Sequence, residues 1–334
     1  MKKTNQYLWF IGHIGLSMFI LPNVWSMDEL VAGKAFTKFS QIIEMPEKWR
    51  KQPIQYKNWA KGSDLAITLD QQLYPALLPV IQKYAKQNKL DIAVQEGTCG
   101  TSAKGLKDKI ADIAGFCCPP SEADRLSGIK FHTLGIASLA LLVNSKNPIN
   151  KLSLKQARQI FQGHIFRWSS IKNKGKRGPR RIIQVFGRLH CKQRPGHWRL
   201  LLDNEDLFSP RMSELSTIPD MVSEVALNRY GISYETLMML KHYSNSRKVK
   251  TLSIDHIAPT DNAKLIAGEY PLYRTYNVTT WESQTTKNRQ AQALVKYLID
   301  YMEKLDPSYG IVPVSKLRKA GWQFMENEII GEPH

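Results

Sequence analysis

The chain has 334 residues, 43% of them apolar, with 20 Gly and 17 Pro. That composition excludes a collagen-like or disordered chain and leaves room for two domains of ordinary size. Lys and Arg number 47 against 29 Asp and Glu, a formal charge of +18 that favours anionic partners. Nothing matches a helix-turn-helix, an RNA-recognition signature or a zinc finger, so nucleic acid is not an expected partner.

In chain order, Lys2 and Lys3 precede the apolar run from Tyr7 to Leu21, and Pro22 to Ser26 follow. A short basic region before an apolar stretch of this length predicts a signal peptide over residues 1–26 and export to the periplasm. A membrane anchor fits less well, because Gly12, His13 and Gly15 interrupt the run and Pro22 ends it short of a span. No Cys follows the run, which argues against a lipoprotein anchor, and no later segment is apolar enough to cross a bilayer. Residues 27–62 form a poorly patterned lead-in, with a helix expected around 28–39.

Leu65–Leu69 predicts a strand, followed by a helix whose apolar residues Leu77, Leu78, Ile81 and Tyr84 recur at helical spacing. Leu90–Val94 predicts the next strand. It runs into Glu96-Gly-Thr-Cys-Gly-Thr-Ser-Ala-Lys-Gly-Leu106, a small-residue turn opening a helix over 101–110. Such a helix start offers unpaired N–H groups and partial positive charge to an anion. Asp112–Phe116 is a third strand, ending in Cys117-Cys118-Pro-Pro120, and Ile136–Val143 a long buried one. Ser153 caps a helix stopped by Gly163, and 172–181 is a solvated charge run. Arg181–Phe186 is a strand that delivers Gly187-Arg-Leu-His-Cys-Lys-Gln-Arg-Pro-Gly-His-Trp198. A helix at 221–228, strands at 231–234, 249–254 and 271–280 and an amphipathic helix at 290–303 complete the pattern. Strands alternating with helices predict a parallel, doubly wound α/β sheet with ligand sites at the strand C-termini.

Taken together, several short motifs resemble the periplasmic phosphate-binding proteins of ABC transporters and their wider solute-binding superfamily. They are the strand–turn–helix at 94–106, Ala111-Asp-Ile-Ala-Gly-Phe116, Leu139-Ala-Leu-Leu-Val-Asn-Ser-Lys-Asn-Pro148, Leu154–Gly163 with Trp168-Ser169, Gly231–Tyr234, Gly268–Arg274 and Gly310–Pro313. The resemblance covers about residues 63–322. It implies two α/β lobes, each a mixed or mostly parallel sheet flanked by helices, joined by two hinge strands. Lobe one would be 63–142 plus 256–334 and lobe two 143–255, with hinge closure around ligand. It also implies a non-catalytic monomer that takes a small anion and works with an ABC transporter permease or another envelope protein.

The ligand positions depart from the family pattern. Its first Gly-Ser-Thr-Thr-type turn is replaced by Leu69-Asp70-Gln71-Gln72, its hydroxyl pair by Cys117-Cys118, and its Ser-Gly-Thr turn by the segment from His190 to Trp198. Carried onto these positions, the candidate ligand-binding residues are Asp70, Gln71, Gln72, Thr98, Gly100, Thr101, Ser102, Arg188, Lys192 and Arg194. Arginine forks suit oxyanions, and some of these arginines are expected to pair with Asp70 or Asp112.

All four cysteines, Cys99, Cys117, Cys118 and Cys191, fall on expected cleft loops. Three readings stand for them: disulfides, as export favours; a metal site completed by His190 or His197; or a redox switch at the vicinal pair. No CxxC spacing supports the metal reading, and no cofactor is otherwise expected. A metal- or redox-linked envelope protein reusing the fold is therefore the alternative to an anion-binding one. Trp168, Trp198, Trp281 and Trp322 are expected in the core.

Overall fold

The structure is a computed structural model that describes residues 31–334 except 174 and 244–247. The expected signal peptide, 1–26, lies outside the described residues. The first strand, β1 (Leu65–Asp70), is buried at all six positions because it lies between two parallel neighbours, β2 (Ile92–Gly97) and β3 (Ile113–Phe116). Helix α1 (Tyr74–Asn88) buries Ala76, Leu77, Val80 and Ile81, one stripe at helical period. Helix α2 (Cys99–Lys107) starts two residues before the expected helix: Thr98 caps it, accepting from the Thr101 N–H, and Thr101 closes the reciprocal capping box.

The longest strand, β4 (Ile129–Asn144), runs through both halves of the molecule. Helix α3 (Leu154–Phe161) is capped by Ser153 as expected. The second half adds β5 (Gln184–Gly187), helix α4 (Ile218–Leu227), β6 (Gly231–Thr236) and β7 (Val249–Ile254). The chain then returns through β8 (Tyr273–Trp281), helix α5 (Arg289–Tyr301) and β9 (Ile311–Pro313).

The hydrogen-bonded order is β2-β1-β3-β8-β4-β6-β5. The sheet is mixed, as the resemblance implied, and not parallel throughout as the alternation of strands and helices alone suggested. β1, β2 and β3 are parallel, and so are β5 and β6, but β4 runs antiparallel to β6, β7, β8 and β9. The cause is the return path. β8 re-enters the first half and pairs with Ile129–Ser138, while β6 and β7 pair with Leu139–Asn144. One strand thus carries both halves, and the change of partners falls near Leu139.

Two apolar cores lie on opposite faces of this sheet. From Leu139 to Val143 alternate side chains serve them: Ala140 and Leu142 join one, Leu139, Leu141 and Val143 the other. Trp168, Trp198, Trp281 and Trp322 are all core residues, as expected. Gly135 is required where β9 crosses, because a Cβ there would lie 2.2 Å from the Val312 carbonyl oxygen.

Residues 32–39 are not helical. Instead 31–45 form a strap across the two halves. Lys34 O accepts from Gly196 N–H and Val31 O from Asp203 N–H on the second half (2.8 and 2.6 Å). Thr37 Oγ1 then donates to Pro120 O (2.8 Å), and Ile43 N–H to Arg125 O (2.8 Å), on the first half. The strap's longer-range backbone bonds thus go to loops of both halves, with one local turn bond from Gln41 N–H to Lys38 O.

Candidate functional site

The C-terminal ends of β1, β2 and β3 face those of β5 and β6, and the polar residues of both halves meet there. At the centre is a residue that sequence reasoning did not assign, Arg274 of β8, with no solvent exposure. Its Nη1 donates to the Cys117 sulfur (2.8 Å) and its Nη2 to Nδ1 of His197 (2.7 Å). Glu235, also fully buried, lies 4.0 Å from Nη2. Nε of Arg274 and Oε2 of Glu235 make no hydrogen bond.

Around Arg274 lie the four cysteines, brought together from distant positions. Their sulfurs are all within 4.8 Å of one another. Cys99 opens α2, Cys117 and Cys118 follow β3, and Cys191 comes from the loop after β5. Cys99 and Cys117 sulfurs are 3.3 Å apart and those of Cys117 and Cys118 3.9 Å. All four are free thiols, so no expected disulfide is formed. Adjacent Cα atoms across a trans peptide are about 3.8 Å apart, too close for a relaxed bridge within the vicinal pair. Burial pushes the Cys99 and Cys117 thiols up to about 11 and Cys118 well above its ordinary value.

His190 and His197 stand beside this cluster, with Nε2 atoms 3.2 Å apart. Burial and the charge of Arg274 hold both well below the usual histidine range, so both are neutral. Cys191 (φ +58°) and His197 (φ +54°) each adopt the left-handed backbone that non-glycine residues avoid. The 187–198 loop is thus bent to bring its thiol and imidazoles inward.

The candidate ligand residues divide into two groups. Four cross between the halves: Arg188, Gln71, Gln72 and Arg194, the last through Asp124. Arg188 is held by its Nε donating to Ser216 O (2.8 Å), and its fork faces Gln71. With the Gln71 amide turned so that its oxygen meets the guanidinium, that oxygen accepts from Nη1 and Nη2 at 2.8 and 2.9 Å. Gln72 Nε2 donates to Glu235 Oε1 (2.9 Å), and its oxygen accepts from Tyr276 Oη (3.1 Å).

The others, Arg194 apart, have partners within their own half. Asp70 is fully buried and accepts from the Gln72 N–H (2.8 Å), with Cys99 Sγ 3.6 Å from its other oxygen. Thr98 and Thr101 cap α2, exposed Gly100 lies in its first turn, and Ser102 donates to Gly115 O (2.8 Å), tying the helix to β3. Lys192 Nζ is 3.7 Å from Glu205. Arg194 pairs with Asp124 at 2.6 Å, not with Asp70 or Asp112; Asp112 instead accepts from Tyr56, Ala66 N–H and Asn288. The cleft therefore carries three guanidiniums, Arg188, Arg194 and Arg274, and three carboxylates, Asp70, Asp124 and Glu235. A cavity of about 810 Å³ flanks this site under the strap, lined by Lys34, Thr37, Glu122 and Gln193 among others, and does not include the cysteines.

Arg274 and Glu235 had a sequence signal. Each is the sole charged residue of its strand, in Tyr-Arg-Thr-Tyr-Asn-Val-Thr-Thr-Trp and Gly-Ile-Ser-Tyr-Glu-Thr. A lone charge in a buried strand needs a partner. Asp124 had no such signal.

A family model described as a PBP superfamily domain matches residues 57–301. The chain belongs to the PBP superfamily. Within it, the phosphate-binding protein PstS of Bacillus subtilis (strain 168) is 24% identical over 272 residues, 78% of this chain and 83% of that one. PstS 2 of Streptococcus agalactiae serotype V is 26% identical over 117 residues; this match spans 35% of the chain and 40% of the relative's length. Among solved structures, an ABC-type phosphate transport receptor from Vibrio cholerae has a TM-score of 0.59 at 19% identity, covering 75% of this chain and 99% of that one. A putative phosphate ABC transporter substrate-binding protein with bound phosphate from Clostridium perfringens has a TM-score of 0.62 at 14% identity, covering 75% and 99%. These likenesses establish the two-lobed PBP fold. Among the described residues no helix is long and apolar enough to cross a membrane.

Proposed function

We propose that this PBP superfamily chain is an exported, non-catalytic solute-binding protein that closes its two lobes on a small oxyanion and serves an ABC permease. The lobes are taken as 63–142 with 256–334, and 143–255, hinged near Leu139, where β4 changes partners. The observation that carries the reading is the Arg188 fork. It is fixed on one half by Ser216 and aimed across the cleft, where both Nη atoms converge on a single amide oxygen of Gln71. A guanidinium offering two parallel donors across a closing cleft is the arrangement that grips a tetrahedral or planar oxyanion. Gln71 then acts as the acceptor that an incoming ligand displaces. The relatives named for phosphate make phosphate the first ligand to try.

Calorimetry with phosphate and sulfate on reduced, chelator-treated protein tests this. One oxyanion should bind per chain. Arg188→Met should weaken binding about 10- to 100-fold, the equivalent of a hydrogen bond to a charged group. Gln71→Ala should leave binding equal or tighter, since it removes a competitor for the fork. No binding of either anion at millimolar concentration would overturn the reading.

A further inference from the structure

We propose that Cys99, Cys117, Cys118 and Cys191 form a tetrathiolate site for one thiophilic d¹⁰ cation, zinc first among them, and that this ion bridges the two halves of the protein. The inference is independent of the oxyanion reading, which uses Arg188 and Gln71.

Geometry is the first support. Zinc–sulfur bonds of about 2.3 Å set the edge of a regular tetrahedron at about 3.8 Å. The sulfurs here are separated by 3.3 Å for Cys99 and Cys117, 3.9 Å for Cys117 and Cys118, and by no more than 4.8 Å for any pair. Small side-chain adjustments convert such a cluster into a four-coordinate site, and a closed set of four thiolates is the donor set for zinc or copper(I).

The surroundings are the second support. Thiolates bound to a metal are held by donors that orient the sulfur and offset its charge. The Cys117 N–H points at the Cys99 sulfur (3.3 Å), and the Cys117 sulfur accepts from Arg274 Nη1 (2.8 Å). Arg274 is fully buried, and its nearest carboxylate, on Glu235, is 4.0 Å away. Four thiolates and a divalent cation carry a net −2, so Arg274 gains a counter-charge in direct contact. Arg194 Nη2, paired with Asp124, also donates to the Cys99 carbonyl oxygen (3.4 Å) and so holds the start of α2 in place. Four protonated thiols around a buried guanidinium provide no such balance. The ligation exchanges four S–H bonds for four metal–sulfur bonds, with the protons leaving to solvent and no change of oxidation state.

Chain origin is the third support and gives the site its consequence. Three sulfurs come from the half built on β1–β3. Cys191 comes from the other half, on a loop forced into left-handed backbone at that residue. Occupancy therefore favours the closed arrangement, because an open one offers the ion only three thiolates.

The test uses the full chain, reduced, stripped by chelator under anaerobic conditions and titrated with Zn²⁺ and, separately, Co²⁺. One Zn²⁺ should bind per chain and protect all four thiols from alkylation. Co²⁺ should give the thiolate-to-metal charge-transfer bands of a tetrahedral sulfur site. Cys191 is the least buried ligand, so Cys191→Ser should fold; it should bind Zn²⁺ more than 100-fold more weakly, beyond the 10- to 100-fold typical of losing an outer partner. Arg274→Met should fall within that smaller range and keep the Co²⁺ spectrum. Failure of the reduced protein to bind either ion overturns the proposal. So does a Cys191→Ser variant that binds as tightly as the parent, or anaerobically isolated protein with four oxidised cysteines and no metal.

Discussion

Gln72→Leu is the sharpest test of how the halves are held together. Gln72 is fully buried on the first half, and its amide reaches Glu235 Oε1 of the second half (2.9 Å). Its oxygen also accepts from Tyr276 Oη (3.1 Å) and Thr236 Oγ1 (3.4 Å). Leucine has nearly the same volume and neither donates nor accepts. The bond to the carboxylate contributes about 1.5–3 kcal/mol and each neutral bond about 0.5–1.5 kcal/mol. Glu235 would keep only the Thr236 N–H (2.7 Å) at Oε1, its Oε2 being unpartnered already. Tyr276 lies on the same half as Gln72, so the bonds that break on opening are those to Glu235 and Thr236, together about 2–4.5 kcal/mol; at about 3 kcal/mol the opening equilibrium should shift about 100-fold. Cys99, Cys117 and Cys118 have no exposure in the closed form, so their alkylation reports the open population when closing is faster than reaction. In reduced, metal-free protein the variant's three buried thiols should react about 100-fold faster, with a larger radius of gyration in solution scattering. A folded variant with unchanged thiol reactivity would show that Gln72 packs within one half and does not hold the two together.

Arg125 makes two bonds to Glu328 (2.8 and 2.5 Å) in a nearly dry setting, so Arg125→Met should destabilise by about 3–5 kcal/mol by stranding the carboxylate, read as a lowered denaturant midpoint. Gly135→Ala should destabilise by about 1–3 kcal/mol or more, because its Cβ meets the Val312 carbonyl oxygen at 2.2 Å and backbone must move. His132 is held neutral by burial below its ordinary value of 6.5, with Nδ1 accepting from Asn327 (3.2 Å) and Nε2 facing Thr280 (2.8 Å). Its folded pKa is depressed, so the unfolded chain binds more protons below about pH 6.5 and stability falls as the pH drops through that range; His132→Gln should flatten that slope in denaturant titrations at pH 5–7.

Periodic signals were legible because they depend on neighbours in sequence. Burial of β1, the stripe on α1 and the Ser153 cap each follow from spacing or from a side chain reaching its own backbone. The antiparallel course of β4 had no such signal: Ile129–Asn144 reads as one buried strand whichever way its partners run, and direction is set by the return of β8 from more than 120 residues later. The lead-in failed for a related reason. Over 31–45 most backbone bonds go to residues 125–127 and 196–203, so little local period exists there to read. At the site, the motif loops come together at one end of the strands, yet their side chains have varied partners. Ser102 and Arg194, placed among ligand donors by position, have nearby partners in Gly115 and Asp124 that only folding supplies.

The charge balance of the cleft links the two proposals without merging them. Three guanidiniums face three carboxylates, and Asp124 neutralises Arg194 directly at 2.6 Å. Asp70 meets only the neutral Gln72 N–H and the Cys99 thiol, so the unsettled charges are Arg188, Arg274, Asp70 and Glu235. Arg188 is held on the second half and aimed at a displaceable amide, which suits a ligand that comes and goes. Arg274 is fully buried against a sulfur and an imidazole, where an exchanging oxyanion would have to be dehydrated and enter between thiols. A metal tetrathiolate supplies Arg274 with a permanent counter-charge and leaves Arg188 as the free cation. Anion affinity should then depend on Arg188 with or without zinc, while Arg274→Met should change zinc affinity far more than phosphate affinity. Equal losses of both on Arg274→Met would mean that one site, not two, occupies the cleft.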